Sequence, residues 1–287
     1  MTAIEIVRAG PLTTVQDLGR RGHAHLGVPR AGAADLPAHR RANALVGNGD
    51  DAATLETTML GFTFRALAPL VVAVEGAACA VLVGAVRAPW GAPFRVAPGQ
   101  TVEVGPAVAG LRSYLAVRGG IEVEPVLGSR SSDTLSGLGP APLANGDAVA
   151  VGAAPGAPEE LFGRPAAHAP EATNRVELKL RRGPRQDWLG ADGWGALAEA
   201  AWQVSDRSNR VGVRLEGRPL VRARSGEIAS EGLVTGAVQL PPSGRPVIFL
   251  ADHPTTGGYP VVGVLDGDAI AAAAQARPGV ELRFRVR

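Results

Sequence analysis

The chain has 287 residues, long enough for one large or two ordinary domains, and its 29 basic and 27 acidic residues leave a net charge of +2. With opposite charges interspersed it carries no nucleic-acid footprint, and no apolar run approaches the roughly 18 to 20 residues that cross a membrane. The single cysteine, Cys79, excludes an internal disulfide, and Met1-Thr2-Ala3-Ile4-Glu5 lacks the basic and apolar regions of a secretory leader, so a reducing, cytoplasmic setting is expected.

Along the chain, 38 glycines and 23 prolines punctuate short apolar runs. Residues 4–7, 70–74, 80–83, 101–104, 113–117, 148–151, 175–180, 211–215, 247–251 and 281–286 read as strands. Asp35 is placed to cap a helix over 36–46 that stops at Gly47; further helices are predicted over 196–202 and over 269–276, after Asp268 and before Pro278. Many short strands with few helices predict a mainly β chain of barrels or sandwiches. Between them, residues 152–170 hold Pro155, Pro158, Pro165 and Pro170 and read as a linker. We therefore divide the chain into 1–155, a linker at 156–172, and 173–287. The stretch 113–120 is faintly echoed by 248–251 followed by Gly257-Gly258, which suggests two related halves.

The densest chemistry lies at 251–260, Ala-Asp-His-Pro-Thr-Thr-Gly-Gly-Tyr-Pro. The apolar run 247–251 delivers Asp252 and His253 at its end, where the chain emerges. Thr255 and Thr256 add hydroxyls, and Gly257-Gly258 allows backbone conformations in which N–H groups converge on an anion. The same residues also suit a tight turn whose Asp and Thr satisfy their own backbone. Upstream, Glu231 precedes a run in which Thr235, Ala237 and Gln239 share one face at the strand period of two, either lining a polar interior or facing solvent.

Three further constellations stand out. Gln16 and Asp17, within residues 10–20, form either a polar ligand site or a strand exit fixed by Asp17. Arg112 and Arg118 flank the strand at 113–117, and Arg130 and Ser131 follow; arginine forks suit carboxylates and phosphates, while an internal Arg130–Asp133 pair is the structural alternative. His23, His25 and His39 lack a nearby cysteine or a clear acidic third ligand, so no metal site is expected. Lys179 is the only lysine, so phosphate or carboxylate binding must use arginine or backbone N–H groups.

The segment 231–260 resembles the C-terminal signature of the 5-oxoprolinase C-subunit family, also called biotin-dependent carboxyltransferase or allophanate hydrolase subunit 2-like, which includes the carboxyltransferase half of urea amidolyase. The resemblance extends over nearly the whole chain: Gly10 to Arg20, Gly27-Val28-Pro29, Gly32-Ala33-Ala34-Asp35, Ala42 to Asn48, Leu55-Glu56-Thr57-Thr58, Leu115 to Ile121, Gly128 to Asp133 and Ser208 to Leu215.

What the resemblance implies is specific. The fold would be two cyclophilin-like β-barrel domains with a few short helices. The substrate would be a small amide, with ATP (and Mg, at the level of the complex) or carboxybiotin as the activated partner. In the 5-oxoprolinase version this chain, a B-subunit-like protein and an A-subunit-like lactam hydrolase together open 5-oxoproline to glutamate. Asp252 and His253 would act on the amide. Thr255, Thr256, Gly257, Gly258, Tyr259, Gln239, Arg118, Arg130 and Ser131 would hold substrate or anionic groups, with Gln16, Asp17 and Glu231 as further candidates. Two alternatives are a biotin-dependent carboxyltransferase acting on urea or a similar amide, and a regulator that antagonises an inhibitor of a histidine kinase. No Met-Lys-Met biotin-attachment sequence is present, since the methionines are Met1 and Met59, so biotin would be carried by another chain. The chain alone is expected to be inactive.

Overall fold

The structure, a computed structural model, describes residues 2–156 and 168–287. The chain forms two compact units: Met1–Arg20, Asp35–Asp133 and Gly137–Ala172 make the first, and Arg21–Ala34, Thr134–Ser136 and Thr173–Arg287 the second. Most of the expected linker, residues 157–167, lies outside the described residues.

The first unit is a ten-stranded antiparallel sheet. It contains β1 (Thr2–Arg8), β2 (Thr13–Gln16), α1 (Leu36–Leu45), β3 (Thr54–Thr58), β4 (Phe62–Ala66), β5 (Leu70–Val83), β6 (Val86–Ala88), β7 (Phe94–Val96), β8 (Thr101–Val117), β9 (Ile121–Glu122) and β10 (Ala148–Val151). The order is β2-β3-β8-β4-β1-β10-β9, with β5 lying along β8 and carrying β6 and β7. Four of the predicted strands merge into two: 70–74 and 80–83 are one strand, β5, and 101–104 and 113–117 are one strand, β8. Gly76, at φ 91, does not end β5; the β5–β8 register shifts around residues 76–81 instead, so bulges absorb the irregular stretch without breaking the strand.

Period two sorts this sheet's faces. Leu55, Leu115 and Val74 are cross-strand neighbours in the apolar core. One residue along, Glu56, Tyr114 and Glu75 line up across β3, β8 and β5 and are also buried. Helix α1 packs on β5 and β8. Asp35 caps it as expected, accepting from the Ala38 N–H at 3.0 Å, and Asp35's own N–H donates to Tyr114 Oη at 2.7 Å. Tyr114 in turn donates to Glu56 Oε2 at 2.7 Å. Burial, chiefly, and the Glu56 charge hold the Tyr114 phenol well above its ordinary range, so it stays a neutral donor.

The second unit contains β11 (Arg175–Arg182), α2 (Gly190–Glu199), β12 (Trp202–Val204), β13 (Gly212–Glu216), β14 (Glu231–Gly232), β15 (Ala237–Gln239), β16 (Val247–Phe249), β17 (Thr256–Gly257), β18 (Val261–Leu265), α3 (Gly267–Gln275) and β19 (Glu281–Val286). Seven strands close a barrel in the order β11-β18-β15-β16-β13-β12-β19, sealed by the parallel β11–β19 pair. Its interior is apolar, with Val213, Leu215, Val238, Ile248, Val262, Leu282 and Phe284 in one buried cluster. The face of Ala237 and Gln239 therefore does not line the barrel. Ala237 packs outside it in a second cluster with Leu233, Phe249 and Val261.

The helix expected over 196–202 begins earlier and ends at Glu199, and Trp202 starts a strand, fully buried with its indole N–H on the Leu197 carbonyl at 3.2 Å. Asp266, not Asp268, caps α3, accepting from Ala269 N–H at 3.2 Å. The fold class is as predicted: mainly β, with two barrel-like sheets and, among the described residues, three short α-helices. Among the described residues no helix is long and apolar enough to cross a membrane.

Candidate functional site

The ladder between β13 and β16 sets the geometry of 250–253. It runs past the formal strand ends, with Leu250 N–H on the Val211 carbonyl at 3.0 Å and Asp252 N–H on the Arg210 carbonyl at 3.1 Å. Asp252 is consequently turned into the protein and is fully buried. Its carboxylate accepts four hydrogen bonds: Arg210 Nη2 on Oδ1 and Nε on Oδ2, both at 2.9 Å, and Thr134 N at 2.9 Å and Oγ1 at 2.6 Å on Oδ2. Both ion-pair partners are essentially inaccessible, so the charge is matched by a bidentate fork and not by water.

His253 follows directly and is 6% exposed. Its Nδ1 lies 2.7 Å from the Pro254 carbonyl oxygen, which can only accept, so Nδ1 carries the proton and a neutral ring has its lone pair at Nε2. Phe249 packs against the ring at 6.2 Å between centroids.

Beyond the histidine, β17 pairs with β14 in a two-stranded ribbon, Glu231 opposite Gly257 and Gly232 opposite Thr256. The ribbon gathers several of the expected residues. Glu231 is held by Arg185, whose Nε donates at 3.1 Å; Gln239 Nε2 donates to the Tyr259 carbonyl at 2.9 Å. Thr255 is half-buried and Thr256 exposed, and neither hydroxyl has a hydrogen-bond partner among the described residues. Both are available to a ligand.

The glycine pair behaves differently from the expectation. Neither Gly257 nor Gly258 has a positive φ, so the pair does not form the N–H nest predicted for it. Gly257 is closely packed: a Cβ there would meet two side-chain ends, Gln239 Nε2 at 2.8 Å and Leu233 Cδ1 at 2.9 Å, which would have to shift. At Gly258 a Cβ meets only the Ile228 carbonyl oxygen at 3.5 Å, an ordinary contact.

A second polar cluster belongs to the first unit. Asp17 leaves the end of β2, and its Oδ1 accepts from Gly19 N–H at 2.8 Å, Ser129 Oγ at 2.6 Å and Ser131 Oγ at 2.5 Å, while Oδ2 accepts from Arg130 N–H at 2.6 Å. Gln16 Nε2 donates to Thr14 Oγ1 at 2.9 Å and to the Ser132 carbonyl at 3.1 Å. The expected residues Gln16, Asp17, Arg130 and Ser131 are thus brought together. The Arg130 guanidinium pairs with Glu122 at 2.8 Å, not with Asp133. Arg118 binds backbone carbonyls, Val46 at 2.7 Å and Pro155, beside a cavity of about 600 Å³ that Arg95 also lines.

His39 is buried, with Nδ1 2.9 Å from Thr54 Oγ1 and Nε2 3.0 Å from the Asp50 carbonyl, and burial lowers its pKa. No group of three or more His, Cys, Asp and Glu suited to a metal ion occurs among the described residues.

The residues that sequence reasoning passed over are Arg210 and Thr134. Arg210 carried a signal, a charged residue immediately before the buried strand at 212–216. Thr134 carried none.

The profile of the family described as carboxyltransferase domain, subdomain A and B, matches residues 26–286. The chain belongs to that family. It is 38% identical over 269 residues to the C subunit of 5-oxoprolinase from Escherichia coli, covering 90% of this chain and 82% of that protein. Among solved structures it resembles TTHA0988 with a TM-score of 0.89 and 38% identity, covering 99% of this chain but 56% of that one, so it spans about half that protein's length. It resembles the Kluyveromyces lactis urea amidolyase with a TM-score of 0.90 and 28% identity, covering 99% of this chain and 18% of that one.

Proposed function

We propose that this carboxyltransferase-family chain is the C-subunit-like component of a cytoplasmic, ATP-dependent 5-oxoprolinase, converting 5-oxo-L-proline to L-glutamate with B-subunit-like and A-subunit-like partners. The observation that carries this reading is the 38% identity to the C subunit of Escherichia coli 5-oxoprolinase, over 82% of that protein's length. The likeness to urea amidolyase supports a second reading, carboxyl transfer from biotin on another chain to urea or a similar amide, but it involves 28% identity and 18% of the longer protein.

In the first reading a lactam must be made electrophilic, and its nitrogen must exchange a proton as the ring opens. His253 is the group for that proton, its ring oriented by Nδ1 on the Pro254 carbonyl. Asp252 has a different part. Its carboxylate is taken up by four hydrogen bonds, two of them from a buried guanidinium, so it holds the turn that presents the histidine. Thr255 and Thr256 offer hydroxyls, and Tyr259, Gln239 and Glu231 shape the ribbon behind them. In the first unit Arg118, beside its cavity, and separately Arg130 and Ser131 are the donors proposed for anionic groups, while Gln16 and Asp17 hold the loop of Ser131.

ATP with Mg would supply a phosphoryl group to the amide oxygen. No acidic cluster for a metal ion occurs among the described residues, and the lone lysine, Lys179, lies in β11 and not in a glycine-rich loop. ATP with Mg therefore stays a requirement of the complex as a whole, and no step of this chain is routed through it.

Purification of the chain at native level tests the reading. Recovery with B-subunit-like and A-subunit-like chains, in a complex that hydrolyses ATP only when 5-oxoproline is present, is expected. Recovery with a biotinylated protein and urea-dependent carboxyl transfer would replace it with the second reading.

A further inference from the structure

We propose that Arg210 is a positioning residue for His253, gathering three separate stretches of the second unit into the edge on which the imidazole stands. This rests on the reading that His253 acts on the substrate amide.

Arg210 is 1% exposed, and its guanidinium reaches two segments through Nε and Nη2. Nε and Nη2 fork onto Asp252 at 2.9 Å each, and Nη2 also donates to the Gly32 carbonyl at 2.7 Å. The third stretch arrives through Asp252, whose Oδ2 takes both the N–H and the hydroxyl of Thr134. Main chain repeats the connection, since the Arg210 carbonyl accepts from Asp252 N–H at 3.1 Å. Asp252 is therefore held by its amide and by both carboxylate oxygens, and the residue joined to it is His253.

The Gly32 end carries an independent sign of constraint. Ala31 has φ 52 and Gly32 φ 96, two successive positive values. Alanine rarely takes that conformation, and Ala31 is buried at 5% exposure. Such a backbone persists where its surroundings over-determine it, and the Arg210 bond to the next carbonyl is one such determinant. Lysine cannot replace the fork, because an ammonium is a point charge on a flexible stem and cannot make these three contacts in one plane. A conservative change of charge is thus a severe change of geometry.

The ring nitrogens of the chain's five histidines, read by long-range ¹⁵N–¹H NMR with His253 assigned from a His253→Gln variant, give a readout independent of turnover. Wild-type His253 is expected as the Nδ1–H tautomer. Arg210→Lys and Thr134→Val are expected to mix the tautomers, and Thr134→Ser, which keeps the hydroxyl, to restore the wild-type pattern. In the reconstituted complex Arg210→Lys should lower kcat on the order of 10²-fold and displace its pH profile, with KM little changed. Loss of folded protein alone would reduce signal but leave tautomer and pH profile in place. Wild-type ring signals and turnover in folded Arg210→Lys would overturn the proposal; should that variant not fold, wild-type signals in Thr134→Val would do so. A wild-type complex inert toward 5-oxoproline would remove the functional reading and leave the ring signals to decide the positioning claim.

Discussion

Asp17 in the first unit and Asp252 in the second are both buried carboxylates at strand exits, each with four hydrogen bonds. Asp17 is served by backbone N–H groups and two serine hydroxyls, all neutral, drawn from residues 19 and 129–131. Asp252 is served by a buried cation as well as by Thr134. Neutral donors from short side chains suffice to fix a loop. A buried ion pair costs desolvation of both charges and is retained where specific geometry is needed. Only the second carboxylate is followed by a histidine in a defined tautomer and by threonine hydroxyls without a protein partner among the described residues, and that difference is why the chemistry is placed there.

Removing the cation should give the largest effect. Arg210→Met leaves Asp252 buried without its counter-charge and is expected to destabilise the protein by about 3–5 kcal/mol in urea unfolding. The double variant Arg210→Met, Asp252→Leu should recover part of that loss, since the uncompensated charge is gone. Loss below about 1 kcal/mol in the single variant would show that the buried ion pair does not hold this turn.

Asp17→Asn tests the other side. The amide turns one acceptor into a donor facing N–H and O–H groups, and a loss of roughly 1–3 kcal/mol is expected, without a change in the His253 ring signals. A cost equal to that of Arg210→Met would erase the contrast.

Adjacent glycines sharpen the same contrast within the second unit. Gly257→Ala should destabilise by about 1 kcal/mol, the low end for overpacking, because its methyl meets the movable ends of Gln239 and Leu233 below 3.0 Å. Gly258→Ala should stay within roughly 0.5 kcal/mol in the same assay. Equal effects would contradict the ribbon's packing.

The smallest expected effect lies in the first unit. Burial holds His39 below its ordinary 6.5, so the unfolded chain binds its proton first as pH falls. The stability due to neutral His39 is fully present above 6.5 and is lost as pH falls from 6.5 through the folded-state value. Denaturant midpoints compared between pH 7.5 and 5.5 should fall less in His39→Asn than in wild type; identical slopes would refute the assignment.

Much of this was legible in the sequence because it is local. Alternation and turn residues located most of the longer strands, Asp35 announced its cap, and the run 247–251 placed Asp252 and His253 at a strand end. What stayed hidden was non-local. Bulges in β5 and β8 repair stretches that read as breaks, and only pairing along β8 reveals that. Trp202 reads as the end of a helix until the barrel claims it for β12. Arg210 and Thr134 reach Asp252 across 42 and 118 residues, and no periodicity reports such a meeting. The Gly257-Gly258 pair was legible as important, but its reason proved to be close packing at one position and not an anion nest.

The central claim, that the proton of the lactam nitrogen is handled at His253 while Asp252 holds the turn, is tested most directly by ATP-dependent 5-oxoproline hydrolysis in the reconstituted complex. His253→Gln, folded and bound to its partners, is predicted to lose between about 10²- and 10⁴-fold in turnover. Wild-type turnover in that complex would contradict the account and return residues 252–260 to the role of a structural turn.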